Sequence, residues 1–210
     1  MPRTVYYTAT SLDGFIADPS DSLAWLLRQP NEDPDDDFFA GVGAIVMGAT
    51  TYEWLLRNLD GPWPYSIPTW VMTHRDLPMP STKTASDQTE PSPNPSQDQS
   101  PKQDPGEQGL SELQEPDIRF AKGPISDHYF EMCQATGDND LWVMGGGDLA
   151  GQFVDEGLLD EIITWTAPVT LGSGRPLLPR RLDLELLGTD RRGPFVTARH
   201  RVIGALQEDQ

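Results

Sequence analysis

Three consecutive glycines, Gly145, Gly146 and Gly147, follow the apolar run Leu141-Trp142-Val143-Met144 and precede Asp148-Leu149-Ala150. A strand, a glycine turn and a helix start in that order leave several main-chain N–H groups without intrahelical partners. Those groups make a ready anion site, and the missing Cβ atoms let a phosphate approach the backbone. Asp148 competes for the same amides, unless it caps the helix while the earlier glycines face a ligand. The same pattern also serves a tight turn with no ligand. Three further segments have comparable chemistry. Gly48 ends the run Val46-Met47-Gly48, and Thr50 or Thr51 can cap a helix or donate to a phosphate. Thr73-His74-Arg75 closes another apolar run, where Arg75 offers a cation to a phosphate or stands solvated. Thr10 to Ala17 contains Asp13-Gly14, a turn signal whose carboxylate could orient a substrate.

Other chemistries are poorly supplied. Cys133 is the single cysteine, so no intrachain disulfide and no cysteine-based metal cluster can form. His74, His128 and His200 are far apart and lack ligand spacing, so no metal is expected. A formal charge of −18 argues against nucleic acid and against anionic membrane surfaces, both of which require clustered Lys and Arg. No apolar run of signal-peptide or membrane length opens the chain, and a cytoplasmic protein is expected.

These segments need a frame to hold them. Residues 79–116 contain seven prolines, seven acids and two lysines, with no aromatic residue, Val or Ile. Such a stretch cannot bury enough apolar surface to offset its ordering entropy, so it reads as a disordered insertion in a surface loop. A partner-binding role is its alternative. The other roughly 170 residues alternate short apolar strands with helices and read as one α/β domain. Strands are predicted at 3–10, 44–47, 69–73, 117–121, 141–144 and 161–167, and helices at 50–58, 125–135 and 148–156. A C-terminal hairpin is predicted from 182–188 and 195–202, turning at Arg191-Arg192-Gly193-Pro194. The sheet is expected to be largely parallel with this antiparallel pair added.

Taken in order, the four segments resemble the dihydrofolate reductase superfamily. The chain looks most similar to small stand-alone reductases related to the reductase domain of bacterial riboflavin biosynthesis. The matching pieces are Ser11-Leu12-Asp13-Gly14-Phe15-Ile16-Ala17, Ser22-Leu23-Ala24-Trp25, Val46-Met47-Gly48 with Thr51-Tyr52-Glu53, and Leu141 to Gly147. They continue with Gly157-Leu158-Leu159-Asp160-Glu161, Ala167-Pro168-Val169 and Gly172 to Leu177. The resemblance implies a three-layer fold with about eight strands and NADPH as hydride donor, NADH remaining open. It implies Ala9 and Ile16 beside the nicotinamide, and Gly48, Ala49, Thr50 and Thr51 at the cofactor phosphates. Thr73, His74 and Arg75 would surround the adenosine ribose, and Gly145, Gly146, Gly147, Asp148 and Leu149 the pyrophosphate. Relatives of this kind are often homodimers.

Two positions depart from the pattern. Dihydrofolate reductases carry an acid in the first helix where this chain has Ser22, with Asp21 one residue earlier. A one-residue shift turns a helical side chain by about 100°, so Asp21 is no automatic substitute. Many relatives place at position 49 an Arg for the 2′-phosphate of NADPH, and this chain has Ala49. Asp13 and Asp21 are the candidate catalytic carboxylates. Trp25, Tyr52 and Thr166 are candidate substrate walls, core packing being the alternative for Trp25 and Tyr52, and Arg175 is a candidate cation for a substrate phosphate. The expected activity is NAD(P)H-dependent reduction of a small heterocyclic or imine-like compound, with 5-amino-6-(5-phosphoribosylamino)uracil as the named candidate. A non-catalytic nucleotide- or partner-binding protein is the alternative, and a true dihydrofolate reductase a weaker one.

Overall fold

Apolar runs become strands where the sequence predicts them in the computed structural model, which describes residues 2–30, 36–59, 61–80 and 115–206. Among the described residues, ten strands and five helices run in the order β1 (Thr4–Ser11), β2 (Phe15–Ala17), α1 (Ala24–Leu27), α2 (Asp36–Ala40), β3 (Val42–Gly48) and α3 (Ala49–Asn58). There follow β4 (Thr69–Met72), β5 (Ile118–Ala121), α4 (Ser126–Ala135), β6 (Asp140–Val143) and α5 (Gly147–Asp155). The chain closes with β7 (Glu161–Ala167), β8 (Arg175–Pro176), β9 (Leu182–Arg192) and β10 (Phe195–Ala205). Most of residues 79–116 lie outside the described residues, and so does the expectation of disorder there.

Eight strands form one sheet in the order β5-β4-β3-β6-β1-β7-β10-β9. The first six are mutually parallel, and β10 runs antiparallel to both β7 and β9. Strands on both sides of residues 79–116 enter this sheet, with β4 and β5 paired directly. The central strands are buried on both faces, so their sequences are nearly continuous apolar runs rather than alternations. Along β3, Val46 turns toward the layer of α4 and α5, where it meets Tyr6, Trp70, Met132, Val143 and Phe153. Ile45 and Met47 turn to the opposite layer and pack with Tyr52, Leu55 and Val71. The three-layer fold expected from the sequence is present. Among the described residues no helix is long and apolar enough to cross a membrane.

Several boundaries differ for physical reasons. The hairpin is longer than predicted because β9 runs through Gly188 to Arg192, with two bulges against β10. Gly193 turns the chain at φ +54°, and Pro194 follows with its φ fixed negative, the sign order of a type II′ turn. Helix α1 begins only at Ala24, so Asp21 and Ser22 are not helical, which corrects the premise of a helical shift. Asp18 accounts for this. Its Oδ1 accepts hydrogen bonds from Ser20 N at 2.8 Å, Ser20 Oγ at 2.7 Å and Ser22 N at 2.9 Å. That staple coils the segment and leaves Asp21 at φ +61°. A two-stranded sheet, β2 with β8, was not predicted; three and two residues are too short to show a period.

Candidate active-site edge

The four segments with phosphate or substrate chemistry sit at the carboxyl ends of β4, β3, β6 and β1, four consecutive strands of the sheet. All four run the same way, so their ends share one edge, about 14 Å from β4 to β1 at the usual strand spacing. Parallel sheets bind ligands at this edge. Gly145 and Gly146 hold φ values of +67° and +82°, a conformation that L side chains adopt at a cost. Gly146 is the N-cap of α5 and Gly48 the N-cap of α3, and neither helix has a side-chain cap. Their first N–H groups are left for another acceptor. Thr50 and Thr51 do not cap α3, as one reading of the sequence supposed, because they lie inside its first turn. A Cβ on Gly145 would meet Thr51 Oγ1 at 3.0 Å, so the α3 start and the glycine turn are in contact.

Gly147 has a different reason to be glycine. A Cβ there would lie 2.3 Å from the Pro176 carbonyl oxygen and 2.5 Å from that of Leu177. It lets the loop carrying β8 pack on α5. Leu149 is buried beneath the helix, and Asp148 is exposed on the side of Arg175 and Arg180, whose ionised forms its charge favours.

Neither candidate catalytic carboxylate is free. Asp13 accepts from Ser11 Oγ at 2.6 Å, Leu171 N at 3.0 Å and Gly172 N at 2.7 Å. The Ser11 bond and these amides hold its pKa below the ordinary carboxylate value. Asp21 accepts from Arg175 Nε at 2.6 Å and Nη2 at 3.0 Å, which likewise lowers its pKa. Both carboxylates therefore tie the loop after β1 to the loop around β8. In this structure both expected catalytic carboxylates brace loops, and Arg175, the expected cation for a substrate phosphate, is paired with Asp21. Arg57, in the last turn of α3, lies near enough for its charge to favour ionised Asp21. Sequence reasoning missed it because only the fold brings position 57 to this rim.

Arg75 is also engaged. Its Nη1 and Nη2 each donate at 2.9 Å to the two carboxylate oxygens of Glu53. Its own N–H donates to the buried Thr73 Oγ1 at 3.0 Å, and His74 is exposed beside it. Arg75, read from the sequence as a cation for a phosphate or a solvated side chain, is thus one half of an ion pair.

The proposed substrate walls divide. Trp25 packs with Trp165, Ala167 and Phe195, and with the half-buried Ala9 and Leu171. The Nε1 atoms of Trp25 and Trp165 are buried without a protein acceptor. Trp165 went unnoticed in the sequence as one apolar residue within a strand. Thr166 follows it and faces the other side of the sheet, in a groove of about 440 Å³ with Thr10, Thr164, Leu177, Arg180 and His200. Tyr52 is corrected to a core residue: it is fully buried, and its hydroxyl donates to the Pro78 carbonyl at 2.7 Å. Ile16 is half-buried in β2. A second cavity of about 350 Å³ lies near the amino ends of β1 and β7, against Arg3, Phe38 and Arg199. Neither cavity contains the glycine turn. An open strand edge suits an extended ligand and needs no enclosed chamber.

Comparison with known proteins agrees with this architecture. Residues 126–196 match the model of the RibD C-terminal domain. The chain is 30% identical over 200 residues to YwjB of Bacillus subtilis (strain 168), an uncharacterized protein, covering 92% of this chain and 94% of that one. A candidate riboflavin biosynthesis protein of Shewanella sp. PV-4 superposes with a TM-score of 0.66 at 25% identity, covering 95% and 98% of the two chains. RibD of Acinetobacter baumannii gives a TM-score of 0.58 at 16% identity, 96% of this chain matching 58% of the longer one. The fold is that of a dihydrofolate reductase-like domain. The chain belongs to the RibD C-terminal domain family.

Proposed function

We propose that the chain is an NAD(P)H-dependent reductase of a small heterocycle, of the pyrimidine-reductase type named among its structural neighbours. The carrying observation is the alignment of Gly48, Arg75, Gly145 and Asp13 segments on four adjacent strand ends. The fit to a dinucleotide rests on the uncapped starts of α3 and α5. It rests also on Gly48, whose missing Cβ would project into open space. Gly145, Gly146 and the first amides of α5 would hold the pyrophosphate, with Thr50 and Thr51 at the neighbouring phosphate. Ala9, Ile16 and Trp25 would border the nicotinamide end. The bound cofactor supplies a hydride, and the chain's own work is to orient the substrate and exclude water. Arg57 suits a substrate anion.

The test uses the six tryptophans as probes. Titration with NADPH and with NADH should quench their fluorescence, and aminopyrimidines should then oxidise the bound cofactor. Failure of both dinucleotides to bind at millimolar concentration would remove the reductase reading. Binding without turnover of any heterocycle would favour the non-catalytic nucleotide-binding alternative.

Self-association belongs to the same reading. On β9 and β10 the register places Leu184, Leu186, Val196, Ala198 and His200 on the groove face, and Glu185, Asp190, Arg199 and Arg201 on the other. The first face has no acid among these strand residues, and Leu186 and Val196 are more than half exposed. Alternation of this kind is the pattern of a strand with one buried face. In a chain of net charge −18, this is a surface that a second copy can approach without repulsion.

A further inference from the structure

The ion pair at the end of β4 bears on which dinucleotide the chain selects. Glu53 lies one helical turn after Ala49 on the same face of α3, and it reaches the guanidinium of Arg75 beyond β4. The arrangement is fixed from both sides. Thr73 holds the Arg75 backbone through a 3.0 Å bond, and the two parallel 2.9 Å bonds hold its fork. Arg75 is about half exposed and Glu53 about one-third exposed, so the pair stands at the surface beside the uncapped α3 start. Asp76 and Lys122 form the next, looser pair at 3.8 Å. The two pairs leave no net charge, and Ala49 adds none.

A carboxylate at this place has known chemistry toward an adenosine ribose. It accepts hydrogen bonds from the hydroxyls of an unphosphorylated ribose, whereas a 2′-phosphate needs an Arg that is free to receive it. A phosphate arriving here would have to displace Glu53 from Arg75 and then remain beside the carboxylate. We infer that Glu53 is a specificity-determining residue that holds Arg75 away from a 2′-phosphate, so that the chain accepts NADH about as well as NADPH. This rests on the dinucleotide reading above.

Affinities for NADPH and NADH, measured by tryptophan quenching, test it in the wild type, Glu53→Gln, Arg75→Ala and the double variant. The wild type should prefer NADPH by less than tenfold, about 1.4 kcal/mol. Glu53→Gln should shift the NADPH-to-NADH ratio toward NADPH by tenfold or more, because Arg75 is released and the like charge is removed. The shift should vanish in the double variant, which shows that it acts through Arg75. A wild-type preference above tenfold, or an unchanged ratio in Glu53→Gln, overturns the inference while leaving the reductase reading in place. Absence of binding by either dinucleotide in every variant overturns both. Matching thermal midpoints of the four proteins exclude unfolding as the cause of any difference.

Discussion

Replacing Gly147 with Ala should destabilise the fold through a steric clash and not through φ strain, because Gly147 lies outside the positive-φ region. The new Cβ would stand 2.3 Å and 2.5 Å from two carbonyl oxygens of the β8 loop. Carbon and oxygen ordinarily meet at about 3.3 Å or more, so the loop must retreat by about 1 Å. Main chain cannot swing aside as a long side chain would. Overpacking of this kind costs about 1–3 kcal/mol. The retreat also strains three contacts: Leu177 N to Gly14 O at 2.8 Å, Tyr6 Oη to Leu177 O at 2.9 Å, and the Phe15–Pro176 pairing. Alanine's better helix propensity offsets part of this, by at most about 1 kcal/mol. A net loss of about 1–2 kcal/mol should lower the melting temperature by about 2–8 °C in a chain of this size. Urea unfolding provides the free energy independently of temperature. A Gly147→Ala protein within about 0.5 kcal/mol of the wild type would refute the reasoning. Gly146→Ala separates the two roles of glycine. Its Cβ finds room, with Leu149 Cβ at 3.5 Å, so its cost of about 1–2 kcal/mol comes from φ +82° alone.

Two other perturbations follow from the same geometry. The lowered pKa values of Asp13 and Asp21 contribute stability that is fully present above the unfolded carboxylate value, about 3.9. That contribution disappears as pH falls through the lower folded values, so loops 11–22 and 168–178 should loosen only below about pH 4. Limited proteolysis across pH should show cleavage there in the wild type and already at neutral pH in Asp13→Asn; identical profiles would argue against the bracing role. Leu186→Asp places a charge in the apolar face of the C-terminal hairpin, where Leu186 is 58% exposed in one chain. Light scattering after size exclusion should find the wild type dimeric and the variant monomeric at micromolar concentration. A monomeric wild type would remove this surface from self-association.

The parts of the fold that were legible in the sequence are those set by local physics. β7 has the limits read for it, Glu161 to Ala167, because turn residues bound a β-branched and aromatic run on both sides. The parallel strands show as apolar runs because both of their faces are covered. β9 was cut short at Gly188, since an edge strand with one open face keeps polar and glycine residues that resemble a terminus. The four strand ends were legible for the same local reasons, whereas the occupation of their charges was not. Glu53 and Arg75 are 22 residues apart, and Asp21 and Arg175 are 154 apart, so only the assembled sheet pairs them. Tyr52 looked like a pocket wall because its helix opens on the edge, but position 52 turns inward under Trp63 and Phe120.

The bracing of the loop after β1 to the loop around β8 has a mechanical consequence. Asp13 grips the amides of Leu171 and Gly172, Asp21 grips Arg175, and Leu12 N reaches Val169 O at 2.7 Å. These ties, with the β2–β8 pairing, lie at several points along both loops, so neither can swing without dragging the other. The two loops are thus one braced unit at the rim of the edge, joined to β1 and β7. A substitution on one of these loops should therefore alter the proteolytic sensitivity of the other, although the two are far apart in sequence.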